Sequence, residues 1–201
     1  MKNLLVISAS PNPDTSVSRQ LAQFYQQQWQ QQYPQGTAVL RDLATSALPV
    51  LDQATINAFY TPAEQRDEQA KQLLSLSDQL VAELQQADEI VIATPMHNFS
   101  VAANLKLWID LVCRVGVTFR YGANGPEGLL LNKQATLIVS RGGRYGAGSF
   151  GASMNFQDPM LVQVLGFIGI NQVAVIAAEG LAGSQEGVEQ AKAQILQQFA
   201  R

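Results

Sequence analysis

The chain opens with Leu4 to Ser8, apolar at consecutive rather than alternate positions, which predicts a parallel strand covered on both faces. After a Ser-, Pro- and Asn-rich stretch, Val17, Leu21, Phe24 and Tyr25 recur at helical spacing and predict a first crossover helix. Thr37 to Leu43 reads as a second strand. Leu73, Leu76, Leu80 and Leu84, flanked by Leu74 and Val81, stripe a helix from about residue 63 to residue 86. Glu89 to Thr94 then predicts a third strand, Asn104 to Arg114 a helix, and Gln134 to Ser140 a fourth strand. Asp158 to Ile168 predicts another helix, Gln172 to Ala178 a fifth strand, and Ser184 onward a last helix.

Strands alternating with helices imply parallel connections, each needing a crossover of a dozen or more residues. The predicted fold is therefore α/β: a flavodoxin-like, doubly wound, five-stranded parallel sheet with helices on both faces, forming a single domain over residues 1–201. No internal repeat or linker interrupts it. The glutamines on either side of Trp29 read as the solvated face of the first helix.

Composition narrows the function. Of 201 residues, 47% are hydrophobic and 14% charged, enough for one large core. The net charge is -3 with no block of Lys or Arg, which removes the footprint of nucleic-acid binding. No apolar run approaches the roughly 20 residues of a membrane span. Cys113 is the sole cysteine, so a disulfide framework is excluded and a reducing cytoplasm is expected. His97 is the sole histidine, which excludes a histidine-rich metal site. A Ser-His-Asp triad has no support either, since no Ser sits in a Gly-x-Ser-x-Gly elbow.

In an open doubly wound sheet, ligands bind at the carboxyl ends of the strands, so the loops after the first, third and fourth strands carry the candidate chemistry. The first runs from Ser10 to Ser18 and places hydroxyls of Ser10, Thr15, Ser16 and Ser18 around a helix N-terminus, where a phosphate would find unpaired N–H groups. A plain capped loop is the alternative reading. The second, Thr94-Pro95-Met96-His97-Asn98-Phe99-Ser100, combines rigidity, hydrogen-bonding capacity and apolar surface, and suits the edge of a flat heteroaromatic ring. The third, Ser140-Arg141-Gly142-Gly143 and onward, is glycine-rich and reads as a ligand-covering loop. Gly146, Gly148 and Gly151 match the dinucleotide spacing but follow the wrong strand, with no acidic ribose ligand about 20 residues on. A phosphate-binding loop of the Gly-Lys-Ser/Thr type is absent.

With these loops in view, the chain resembles the FMN-dependent NADH azoreductases, also described as FMN-dependent NADH:quinone oxidoreductases. The resemblance rests on Ser10 with Ser16-Val17-Ser18, on Pro95 to Phe99, on Val117 to Tyr121 with Gly125 to Gly128, on Ser140 to Gly143, and on Leu165 to Gly169. It implies that Ser10, Ser16, Val17 and Ser18 hold the FMN phosphate. Pro95, Met96, His97, Asn98 and Phe99 would lie along the flavin, and Ser140, Arg141, Gly142 and Gly143 would close over its other edge. No catalytic side chain is obligatory; Asn98, Tyr121 and Phe167 are the implied substrate-pocket residues. NADH or NADPH would be the donor, quinones and aromatic azo compounds the acceptors, and turnover ping-pong. Position 97 departs from the family pattern, carrying His where Tyr is common. A homodimer is also implied, and the apolar run from Leu105 to Val115 offers surface for it. The rival readings are an electron-carrying flavodoxin, which would call for a strongly acidic surface, and a flavin-binding domain without turnover.

Overall fold

The computed structural model describes residues 1–200. Its elements, in order, are β1 (Asn3–Ser8), α1 (Val17–Gln32), β2 (Thr37–Asp42), α2 (Gln53–Tyr60), α3 (Glu68–Gln86), β3 (Glu89–Pro95), α4 (Ala103–Val112), β4 (Phe119–Gly122), β5 (Gly125–Gly128), β6 (Gln134–Ser140), α5 (Asp158–Phe167), β7 (Gln172–Ala178) and α6 (Glu186–Phe199). The main sheet is five-stranded, in the order β2-β1-β3-β6-β7, and every pairing within it is parallel.

Alternate residues of the central strands feed two separate cores. Leu5 and Ile7, Ile90 and Ile92, and Leu137 and Val139 face one side, where they bury Leu80 and Leu84 of α3, Leu105 and Trp108 of α4, and Leu161 and Leu165 of α5. Leu4 and Val6, Val91 and Ala93, and Ile138 face the other, against Leu21, Tyr25 and Trp29 of α1 and Val188, Ala191 and Ile195 of α6. Burial on both faces explains why the strands read as unbroken apolar runs. The glutamines of α1 flank Trp29, which faces the core, is fully buried and donates its indole N–H to Glu89 Oε2 at 3.0 Å.

The structure departs from the sequence-based expectations in four places. The helix expected from residue 63 is a short 3-10 turn, Ala63–Gln65, followed by α3. The break falls there because Arg66 is extended and the Asp67 carboxylate caps α3 by accepting the Ala70 N–H at 2.8 Å. Helix α2 was not anticipated; the Asp52 carboxylate caps it through the Thr55 N–H, also at 2.8 Å. Strands β4 and β5 form an unanticipated antiparallel hairpin. It packs so closely on the C-terminal end of α5 that a β-carbon on Gly128 would lie 2.0 Å from the Gly169 nitrogen. Finally, Leu105, Trp108, Ile109, Leu111 and Val112 are all buried within the single chain. Most of the apolar surface of the Leu105 to Val115 run is thus spent inside the chain, and only Leu107, Cys113 and Val115 of its apolar residues stay partly exposed.

Candidate cofactor site

Strand register brings the three candidate loops together. Ser8 of β1 pairs with Ala93 of β3, and Pro95 of β3 with Ser140 of β6, so the chain leaves all three strands at one edge of the sheet. Strand order reverses between β1 and β3, which opens a crevice at that edge.

The first loop ends on Ser16, the N-cap of α1, whose hydroxyl accepts the Arg19 N–H at 3.3 Å and lies 3.2 Å from the Ser18 hydroxyl. The Asn12 side-chain oxygen accepts the N–H groups of Asp14 and Thr15, both at 3.0 Å, which fixes the turn ahead of the cap. Ser10, Ser16 and Ser18 are buried. Beside them, the Arg19 guanidinium donates to both Asp42 oxygens, at 2.6 and 3.1 Å, and to the Ser10 carbonyl at 3.0 Å. That pairing holds the Asp42 carboxyl below its ordinary range. Arg19 thus ties the loop to the end of β2 with its charge already matched, and the pull on an anion comes from the end of α1.

The second loop is anchored by the Met96 N–H, which donates to the Ser140 carbonyl at 2.8 Å. His97 and Ser100 exchange two backbone hydrogen bonds of 3.0 Å, closing a tight turn over Asn98 and Phe99. Both turn residues are left-handed, with φ of 48° at Asn98 and 69° at Phe99. Asn tolerates this conformation; for Phe it costs about 1 kcal/mol or more. The turn leaves the Phe99 ring 44% exposed at the crevice. Strain of this kind persists where a loop is over-determined, and it concentrates at ligand sites.

In the third loop the carbonyls of Arg141, Gly142 and Gly143 accept from Leu181, Ala182 and Gly180 at 3.2, 3.1 and 2.9 Å, which straps the loop to the end of β7. Among the described residues, no acceptor faces the N–H groups of Gly142 and Gly143. Gly142 also borders open space: a β-carbon there would meet only Ala182, at 3.9 Å. Arg141 points inward and is 2% exposed. Its guanidinium donates to Gln157 Oε1 at 2.9 Å, to Glu179 Oε1 at 2.8 Å and to the Asp158 carboxylate. Gln157, fully buried, donates in turn to the Thr94 carbonyl at 3.3 Å. Arg141 therefore braces β3, α5 and β7 at once. Sequence reasoning missed Gln157, Asp158 and Glu179, because nothing local marks them as partners of Arg141, and it missed Tyr145, whose N–H donates to Glu179 Oε1 at 2.8 Å.

Tyr121 and Phe167 do not join this crevice within one chain. Phe119 packs against Phe167 with centroids 4.3 Å apart and planes tilted by 45°, and meets Tyr121 edge-on at 5.6 Å, at the C-terminal end of α5. Asp158, at the other end of that helix, is about 14 Å away by helix rise alone. A cavity of about 520 Å³ lined by Glu89, Gln134 and Gln172 lies at the opposite edge of the sheet, where those strands begin, and shares no residue with the crevice.

The crevice fits FMN. Buried hydroxyls at a helix N-terminus match a terminal phosphate, a rigid strained turn matches one edge of a flat ring, and free N–H groups in an open glycine segment match the other. No cluster of three His, Cys, Asp or Glu side chains that could hold a metal ion occurs among the described residues.

Residues 2–201 match the family model described as flavodoxin-like fold. FMN-dependent NADH:quinone oxidoreductase 2 of Pseudomonas fluorescens Pf-5 is 43% identical over 98% of this chain and 99% of its own. FMN-dependent NADH:quinone oxidoreductase of Azotobacter vinelandii is 43% identical over the same shares. The azoreductase from Bacillus anthracis Sterne superposes with a TM-score of 0.88 at 26% identity, over all of this chain and 97% of that one. The chain therefore belongs to the flavodoxin-like FMN-dependent NADH:quinone oxidoreductase family.

Proposed function

We propose that this protein is an FMN-dependent oxidoreductase that passes electrons from NADH to quinones and, at the same site, to aromatic azo compounds. The observation that carries the reading is the convergence of the Ser16 cap, the strained Asn98-Phe99 turn and the free Gly142 and Gly143 N–H groups on one crevice. Bound there, FMN supplies the two-electron redox chemistry. The protein does the rest. Ser10, Ser16 and Ser18 would hold the phosphate, Pro95 to Phe99 would lie along the ring, and the Gly142 and Gly143 N–H groups would offer donors to the negative charge that reduction brings.

With FMN bound, a pocket bounded by Asn98, Phe99 and the 142–148 segment would admit one flat molecule at hydride-transfer distance, about 3–3.5 Å, so donor and acceptor would exclude each other. Double-reciprocal plots at several fixed quinone concentrations are expected to be parallel. Intersecting lines would show a ternary complex and rule out the shared site.

Tyr121, 69% exposed on its hairpin, and Phe167 reach a crevice only by way of a second copy of the chain. The active species in this reading is a homodimer. Light scattering is expected to return twice the 21.8 kDa of one chain, and a monomer mass at micromolar concentration would remove Tyr121 and Phe167 from the pocket. The single cysteine, free and partly buried, suits a reducing cytoplasm.

A further inference from the structure

We infer that Tyr145 is a specificity-determining residue of the acceptor site, forming the aromatic wall opposite Phe99, and that Glu179 is the residue that positions it. This deepens the functional reading above and rests on it for the location of the acceptor. Tyr145 follows the glycine pair, and its half-buried ring meets Phe99 edge-on with centroids 6.2 Å apart and planes at 68°. Rings from two different loops, one of them on the strained turn, thus meet at the mouth of the crevice.

Three contacts fix the Tyr145 ring. A β-carbon on Gly143 would lie 3.0 Å from it, and one on Gly151 would lie 2.9 Å from it, so the ring occupies a seat that only glycine on both sides leaves open. Its backbone N–H donates at 2.8 Å to Glu179 Oε1, the same oxygen that accepts from Arg141 at 2.8 Å. A β-carbon on Gly146 would come within 3.1 Å of the other Glu179 oxygen, so the loop also closes tightly over that carboxylate. The other exposed aromatics of this segment lack such seating: Phe150 is 99% exposed, and Phe156 reaches Phe99 only through its backbone N–H. The Tyr145 hydroxyl has no hydrogen-bond partner among the described residues, so the protein holds the ring rather than the phenol oxygen.

A flat, apolar acceptor entering between the two rings trades their mutual contact for contact with both. Aromatic contacts of this kind are worth enough to change affinity by about three- to tenfold. The test uses FMN-loaded native protein and the variants Tyr145→Ala, Tyr145→Phe, Glu179→Ala and the Tyr145→Ala/Glu179→Ala double. The Kd of 2-methyl-1,4-naphthoquinone for each oxidised holoprotein is read from perturbation of the flavin absorption, and the FMN Kd from fluorescence titration of the apoprotein.

Tyr145→Ala is expected to raise the quinone Kd about three- to tenfold with the FMN Kd within about twofold, and Tyr145→Phe to restore native quinone affinity. In the double variant the quinone Kd should be no higher than in the weaker-binding single, as expected when one residue acts through the other. An unchanged quinone Kd in Tyr145→Ala, or an FMN Kd that rises in parallel, overturns the role of Tyr145; an unchanged quinone Kd in Glu179→Ala, or additive effects in the double, overturns that of Glu179. Quinone binding without reduction by NADH would refute the proposed function while leaving this inference standing.

Discussion

Ser16→Asp is expected to lower FMN affinity by two to three orders of magnitude while leaving the apoprotein as stable as the native chain. Asp caps helices about as well as Ser, so the bond from the Arg19 N–H survives. At the ligand the outcome is opposite. A hydroxyl that donates to a phosphate becomes a carboxylate that repels it, and losing one charge-assisted hydrogen bond of about 1.5–3 kcal/mol while adding a like charge gives about 3–4 kcal/mol. Ser16→Ala should lose on both counts: it removes the cap, at about 1 kcal/mol of stability, and one phosphate bond, for a tenfold to hundredfold loss in affinity of about 1.5–3 kcal/mol. Fluorescence titration of apoprotein with FMN, paired with thermal melts, separates the two variants. Native affinity in Ser16→Asp would place the phosphate away from the start of α1.

Arg141→Ala is expected to be the most destabilising single change in the crevice, by about 3 kcal/mol, or a fall of roughly 6–12 °C in Tm for a chain of this size. The guanidinium is almost wholly buried, and its loss leaves Glu179 and Asp158 facing the same space without a cation between them. Gln157, deprived of its donor, also loses its hold on the end of β3. Arg141→Lys should rescue little of this, because one ammonium cannot reach three acceptors that the planar fork serves from separate directions. FMN affinity should fall along with stability in both variants. A drop of less than about 1 kcal/mol in Arg141→Ala would mean that the brace contributes no more than an exposed ion pair.

Much of the scaffold is legible in the chain because its strands are covered on both faces: Leu4 to Ile7 and Ile90 to Ala93 are apolar throughout, and only a central parallel strand asks for that. The three loops follow from strand order, whatever their side chains. The hairpin from Phe119 to Gly128 is invisible by the same reasoning, since Gly125-Pro126-Glu127-Gly128 has no apolar pattern and is held by a backbone approach to Gly169. Arg141 is half legible for a related reason. In sequence it belongs to the segment that the resemblance sets over an edge of the flavin, whereas its side-chain partners lie 16, 17 and 38 residues downstream and turn it inward. The Leu105 to Val115 run overstated spare surface because α4 is walled in by the sheet and its neighbouring helices, so that Trp108 and Leu111 are buried along with Leu105. The left-handed turn is half legible: Asn98 permits it, whereas nothing about Phe99 announces it.

The central claim is that the crevice built by Ser16, Phe99 and Gly142 holds FMN in a form that NADH reduces. Its most direct test is an anaerobic absorption spectrum of the purified protein, taken before and after NADH and again after a quinone. The account predicts a yellow protein whose released cofactor is FMN, whose flavin band bleaches on adding NADH alone, and whose band returns when the quinone follows. A protein that takes up no flavin from excess FMN, or whose bound flavin stays oxidised in the presence of NADH, would contradict it.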